Sequence, residues 1–199
     1  MGKGRLEAFS DGVIAVIITI MVLELKTPHA PSLPALLANL PAFLSYVLSF
    51  LYVGIYWNNH HHLLHAAQKV NGRVLWANLH FLFWLSLFPF ATSWLNEAEP
   101  VPAPLPVALY GVVLLMAGTS WLPLGKTLIA CNGGPDGTLG RALGGQQGRW
   151  KEMVSLLFYI MGIALAFVVP VASCILYAMV AILWFIPDLR IEKQLKQHE

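Results

Sequence analysis

The chain has 199 residues, of which 57% are hydrophobic and only 11% charged, with a formal net charge of +2. A soluble domain carries about a quarter charged residues, so this balance excludes an ordinary soluble fold and points to an integral membrane protein. The basic residues are few and scattered between apolar segments, which excludes a nucleic-acid-binding surface.

The first predicted element runs over about residues 5–25, RLEAFSDGVIAVIITIMVLEL. At ~1.5 Å per residue it is ~30 Å long, enough to cross a bilayer's hydrocarbon core. MGKGRL followed by Val13–Leu23 has the outline of a signal peptide. Glu7 and Asp11 are misplaced for one, and LKTPHAPS offers no small-residue cleavage site, so the segment is expected to be retained.

After the Pro-rich connector KTPHAPSLP, a second span is expected at about 36–62, ending in the polar run NNHHH. A third, at about 73–95, carries Pro89 and should kink there. NEAEPVPAP turns the chain into a fourth span at about 105–129. The glycine-rich stretch CNGGPDGTLGRALGGQQGRW reads as a loop; no strand precedes it and no Gly-Lys-Ser/Thr lies in it, so it is no phosphate loop. The apolar run from Lys151 to Ile186 is too long for one span, and Pro170 divides it into spans at about 151–169 and 171–187.

The expected fold class is therefore all-α, a polytopic membrane protein with six transmembrane helices in one domain over 1–199. Lysine and arginine placement supports an even count. One set of connectors holds Lys3, Arg5, Lys69, Arg73, Lys126, Arg141, Arg149, Lys151, Arg190, Lys193 and Lys196; the other holds only Lys26, with Glu24, Glu97 and Glu99. This puts the protein in the cell membrane with both termini cytoplasmic. It also puts Cys131 and Cys174 on opposite sides, where they cannot pair.

Three polar groups fall at one depth: Arg5, Ser10 and Asp11 on the first helix; Trp57, His60, His61, His62 and His65 at the end of the second; and Trp76, Asn78 and His80 at the start of the third. Each is costly alone in hydrocarbon, so mutual pairing is expected. Arg5 and Asp11 are six residues apart and do not face each other, so the partners of Asp11 come from elsewhere. His61 and His65, spaced i, i+4, together with Asp11 or His80, also fit an intramembrane metal enzyme, and Asp11 with the histidines fits a proton-coupled carrier. The plainer reading is a hydrogen-bonded histidine network that glues helices.

At about 100° per residue, Val16, Thr19, Ile20 and Leu23 share one stripe of the first helix, with Gly12 one turn earlier, while Glu7 and Asp11 point to roughly the opposite side. Two readings of the stripe stand: contact with lipid or a neighbouring helix, or the lining of a narrow pore gated by dewetting.

Arg5, Phe9, Ser10 and Asp11 reproduce an Arg-x-x-x-Phe-Ser-Asp signature, and the chain resembles the transmembrane protein 175 family of potassium channels. The resemblance extends to VIAVIITIMVLEL, to Trp57-x-x-His60-His61, and to Asn78 with Pro89-Phe90-x-Thr92; it covers the first half of the chain by motif and the rest by helix count. It implies a homotetramer in membrane lipid, with a central pore lined by the first helix of each subunit, permeable to monovalent cations, above all K⁺, with no cofactor and no catalytic or metal site. It implies a constriction at Val16 with further layers at Ile20 and Leu23, and a selectivity layer at Thr19. Arg5, Phe9, Ser10, Asp11, Trp57, His60, His61 and Asn78 then form a structural network around the pore helix. No TVGYG-like stretch is present, so selection by a cage of backbone carbonyls is excluded.

Overall fold

A computed structural model describes residues 2–97, 102–143 and 146–185, and all regular structure among them is helical. In chain order the helices are α1 (Lys3–Leu23), α2 (Leu33–Ala38), α3 (Leu40–Ala66), α4 (Gly72–Ser86), α5 (Phe88–Glu97), α6 (Pro104–Cys131), α7 (Thr138–Leu143), α8 (Gln146–Leu165) and α9 (Pro170–Phe185). Four stretches are long and apolar enough to cross a membrane: Lys3–Leu23, Leu40–Ala66, Gly72–Glu97 and Pro104–Cys131. Among the described residues α8 and α9 fall short of that standard: α9 is apolar but only 16 residues long, and α8 opens on the polar QQGRWKE. Six helical stretches are thus present where six spans were expected, and four of them have the length and composition to cross a bilayer.

Local chemistry explains the boundaries. The Asn71 side-chain oxygen accepts the Val74 N–H at 3.1 Å and starts α4. α4 stops at Ser86 and α5 resumes at Phe88, because Pro89 has no N–H to offer the carbonyl four residues back. Pro104 and Pro170 open α6 and α9, where a missing N–H costs nothing. Two short helices were not anticipated from hydropathy. α2 sits in the Pro-rich connector, where Ser32 accepts the Ala35 N–H at 3.4 Å; α7 sits in the glycine-rich stretch. Gly133 and Gly134 enter that stretch with φ of +96° and +71°, a left-handed turn that favours glycine.

The helices gather into two ends. At one, Lys3 Nζ donates to the His65 carbonyl at 3.0 Å, and Asn132 Oδ1 accepts the Gln68 and Lys69 N–H groups at 2.8 Å each. The start of α1, the α3–α4 connection and the end of α6 therefore meet. At the opposite end Lys26 pairs with Glu97 at 2.8 Å and Ser93 donates to Glu24 at 3.0 Å. This arrangement puts Lys3 and Lys69 together and Glu24 and Glu97 together. Glu99, Arg190, Lys193 and Lys196, and the last two residues of the sixth expected span, lie outside the described residues. Cys131 and Cys174 are free thiols.

Away from α1, the interior is organised by hydroxyl groups. Ser49 on α3 bonds to Thr92 on α5 at 2.7 Å and to Tyr110 on α6 at 2.9 Å, and Tyr52 donates to the Tyr177 carbonyl on α9 at 2.6 Å. Gly111 on α6 and Gly162 on α8 let the Tyr177 ring lie directly against their backbones; a Cβ at either position would collide with that ring.

Candidate functional site

α1 has one packed face and one open face. Leu6, Ser10, Ile14, Ile17 and Met21 recur every three or four residues and are buried against α3, α4 and α5. Ser10 is fully buried at the centre of a relay. Its hydroxyl donates to the Leu6 carbonyl at 2.9 Å and accepts from Asn78 Nδ2 at 2.9 Å, and Asn78 Oδ1 lies 2.7 Å from His60 Nε2. Since Asn78 Nδ2 points at Ser10, its oxygen is the acceptor. His60 therefore carries its proton on Nε2, and the bare Nδ1 is buried without a partner among the described residues. The His60 ring stacks on Phe81, with centroids 5.8 Å apart and planes 9° from parallel. Three helices are thus tied by groups that would each be expensive alone.

Beside the relay runs a second set of contacts between α1 and α3. Lys3 reaches the His65 carbonyl at 3.0 Å, Glu7 lies 3.7 Å from His61 Nδ1, and Trp57 Nε1 donates to Asp11 at 3.0 Å. Residues 3, 7 and 11 meet 65, 61 and 57: an antiparallel ladder with one rung per helical turn. Trp57, His61 and His65 stack along the α3 side, with successive centroids 6.0 and 6.1 Å apart. Asp11 thus finds its partner on another helix. The Glu7–His61 rung was not anticipated, although the matching four-residue spacing on both segments was readable.

Two residues expected in the network stand apart from it. Arg5 and Phe9 are exposed. At about 100° per residue Arg5 falls in line with Gly12, Val16 and Leu23, on the open face and not on the Ser10 face. That open face carries Val16, Thr19, Ile20 and Leu23, with Val16 55% and Leu23 81% exposed. The Thr19 hydroxyl donates to the Val16 carbonyl at 2.9 Å. Its proton is therefore committed to the helix, and its oxygen lone pairs are left facing outward.

The metal reading fails on geometry. Among the described residues no group of three His, Cys, Asp or Glu side chains comes together to hold an ion. His61 and His65 stack ring on ring, and His80 sits edge-on to Trp84 instead of joining them.

Fold and site define an all-helical integral membrane protein whose first helix is pinned on one side by polar contacts and bare on the other. The family model described as the endosomal/lysosomal potassium channel TMEM175 matches residues 5–89. A protein of Chryseobacterium sp. (strain P1-3) named a potassium channel is 52% identical over 198 residues, covering 100% of both chains. The human protein named endosomal/lysosomal proton channel TMEM175 is 36% identical over 81 residues, covering 35% of this chain and 16% of the human one. A crystal structure described as a lysosomal potassium-selective channel TMEM175 homolog from Chamaesiphon minutus superposes with a TM-score of 0.77 at 26% identity, covering 92% of this chain and 95% of that one. The chain belongs to the TMEM175 family. Its family and relatives are channels and not enzymes, and the family needs no cofactor.

Proposed function

We propose that this chain is one subunit of a homotetrameric, potassium-permeable cation channel of the cell membrane, with six spans per subunit and both termini cytoplasmic. Four copies of α1 line the pore. Val16, Ile20 and Leu23 form apolar layers that exclude water from the closed path, and a cation crossing them must shed part of its hydration. Thr19 supplies a ring of hydroxyl oxygens at the same depth. Their outward lone pairs compensate a partly dehydrated K⁺, while the helix keeps their protons.

The observation that carries this reading is the open face of α1. An exposed apolar stripe on a helix pinned firmly along its other side is what a pore-lining helix requires: a fixed backbone and an unobstructed surface. The relay of Ser10, Asn78 and His60 and the α1–α3 ladder are then the supports that hold the stripe at its radius. Arg5 and Phe9, on the open side, are placed for contact between subunits at the pore entrance.

The test is a flux assay with purified protein in liposomes under a K⁺ gradient. K⁺ efflux that does not saturate and needs no coupled ion supports the channel; saturating, proton-coupled transport supports a carrier. Because the human relative bears the name of a proton channel, the same liposomes should be read under a pH gradient at symmetric K⁺.

A further inference from the structure

Away from α1, helices α3, α6, α8 and α9 surround a cavity of about 200 Å³. An engineered apolar cavity of ~150 Å³ accommodates benzene, so this one has room for a ring or a short run of methylenes. The cavity has two unlike ends. Tyr52, Leu115 and Tyr159 close the end nearer the middle of the helices. Asn59, Glu152 and Ser155 lie at the other, towards the end of α3 and the start of α8.

The polar groups at that end differ in what they still need. Ser155 donates to the Lys151 carbonyl at 2.7 Å and accepts the Trp184 indole N–H at 2.8 Å, so it is satisfied. Thr119 donates to the Met116 carbonyl at 3.2 Å. The Asn59 amide, half-buried in the cavity wall, makes no hydrogen bond to any other described residue. An amide with two donors and an acceptor is costly to leave unpaired within an apolar bundle. A second depression of about 270 Å³ shares Ile55, Asn59 and Trp184 with the first, so the amide stands where the cavity opens along α3. Met153 and Leu156, also in the wall, are exposed on the outside of the bundle, which gives a molecule dissolved in the bilayer an apolar route in.

We infer that this cavity binds a neutral single-chain amphiphile drawn from the bilayer, with a hydroxyl-bearing head on Asn59 and a hydrocarbon tail running towards Tyr52, Leu115 and Tyr159. The head must both donate and accept, as an amide does, which suits a monoacylglycerol or a long-chain alcohol. The Asn59 amide is neutral, so it offers a charged head no ion pair to offset the loss of that head's hydration.

The experiment is photolabelling of the full chain in liposomes with a monoacylglycerol carrying a diazirine in its tail, with labelled peptides mapped by mass spectrometry. Labels should concentrate on 52–59, 115–122 and 152–159 and be displaced by unlabelled long-chain alcohol. Gly118 lines the cavity, and a Cβ there would sit 3.4 Å from the Tyr56 hydroxyl and 3.7 Å from Tyr159, in ordinary contact, so a larger side chain must fill the space. Gly118→Leu should therefore abolish labelling of these peptides. Asn59→Leu should weaken monoacylglycerol labelling by roughly tenfold, the loss of a buried hydrogen bond, while sparing labelling by a diazirine alkane. Three results overturn the proposal: labels spread evenly over the lipid-facing helices, labelling unchanged in Gly118→Leu at wild-type melting temperature, or displacement by a fatty acid or alkylamine more readily than by the alcohol. If Gly118→Leu does not fold, the contrast between the two probes on Asn59→Leu decides alone. None of these readouts needs ion flux, so this proposal and the channel reading fail separately.

Discussion

The two faces of α1 are equally long and differ in what they carry. The packed face holds Leu6, Ser10, Ile14, Ile17 and Met21; the open face holds Val16, Thr19, Ile20 and Leu23. In a soluble protein the polar residues would turn outward. Here both faces are mostly apolar, because the surroundings are apolar too and burial of hydrocarbon no longer distinguishes inside from outside; Ser10 on the packed face bonds to another helix, whereas Thr19 on the open face bonds back to its own. Hydrogen bonds that find no partner in lipid decide which side packs. The difference teaches that in this bundle a helix packs on the side whose polar groups find partners on other helices.

The contrast can be broken most sharply from the packed side. Asn78→Leu strands the His60 Nε2–H and removes a donor from Ser10, both buried, and should cost about 1–3 kcal/mol, read as a lower melting temperature in detergent. An unchanged melting temperature would remove the relay from the stability of the fold. On the open face the opposite pattern is expected. Val16→Ala and Leu23→Ala should leave the melting temperature unchanged and raise basal K⁺ flux by about tenfold, since ~1.4 kcal/mol off a dewetting barrier is a factor of ten. A loss of stability without a gain of flux would make the stripe a packing surface.

Finer changes sharpen the comparison. Thr19→Val keeps shape and removes the hydroxyl ring, and should shift the K⁺ to Na⁺ permeability ratio by roughly two- to fivefold, the worth of a hydrogen bond under ~1 kcal/mol. An unaltered ratio would place selectivity elsewhere. On the ladder, Asp11→Ala frees the Trp57 indole N–H and should cost about 0.5–1.5 kcal/mol, whereas Asp11→Asn keeps the acceptor and should cost less. Arg5→Ala should leave the monomer's melting temperature where it is and affect only assembly, seen as a shift in size-exclusion elution.

Much of this was legible in the sequence for identifiable reasons. The first four spans, the break near Pro89 and the start of α9 at Pro170 follow from hydropathy and from proline's missing N–H, both of which act over a few residues. The alignment of Val16, Thr19, Ile20 and Leu23 follows from helical periodicity alone. α2 and α7 escaped because a six-residue helix leaves no hydropathy signal and depends on a cap or a turn. Arg5 was grouped with Ser10 and Asp11 by membrane depth and by the shared signature, although helical periodicity aligns it with Leu23.

What the sequence by itself determined, then, is the six long helical stretches, the excess of basic connectors at one end, and the two faces of α1. Only the tertiary structure decided the pairings: Ser10 with Asn78 and His60, Asp11 with Trp57, and Glu7 with His61. The physical reason is one of range. Periodicity and hydropathy are properties of one helix and its solvent, whereas a partner on another helix is chosen by the register and distance at which three helices pack. The same holds for the amide of Asn59, unpaired among the described residues, whose cavity exists only once α3, α6, α8 and α9 have met.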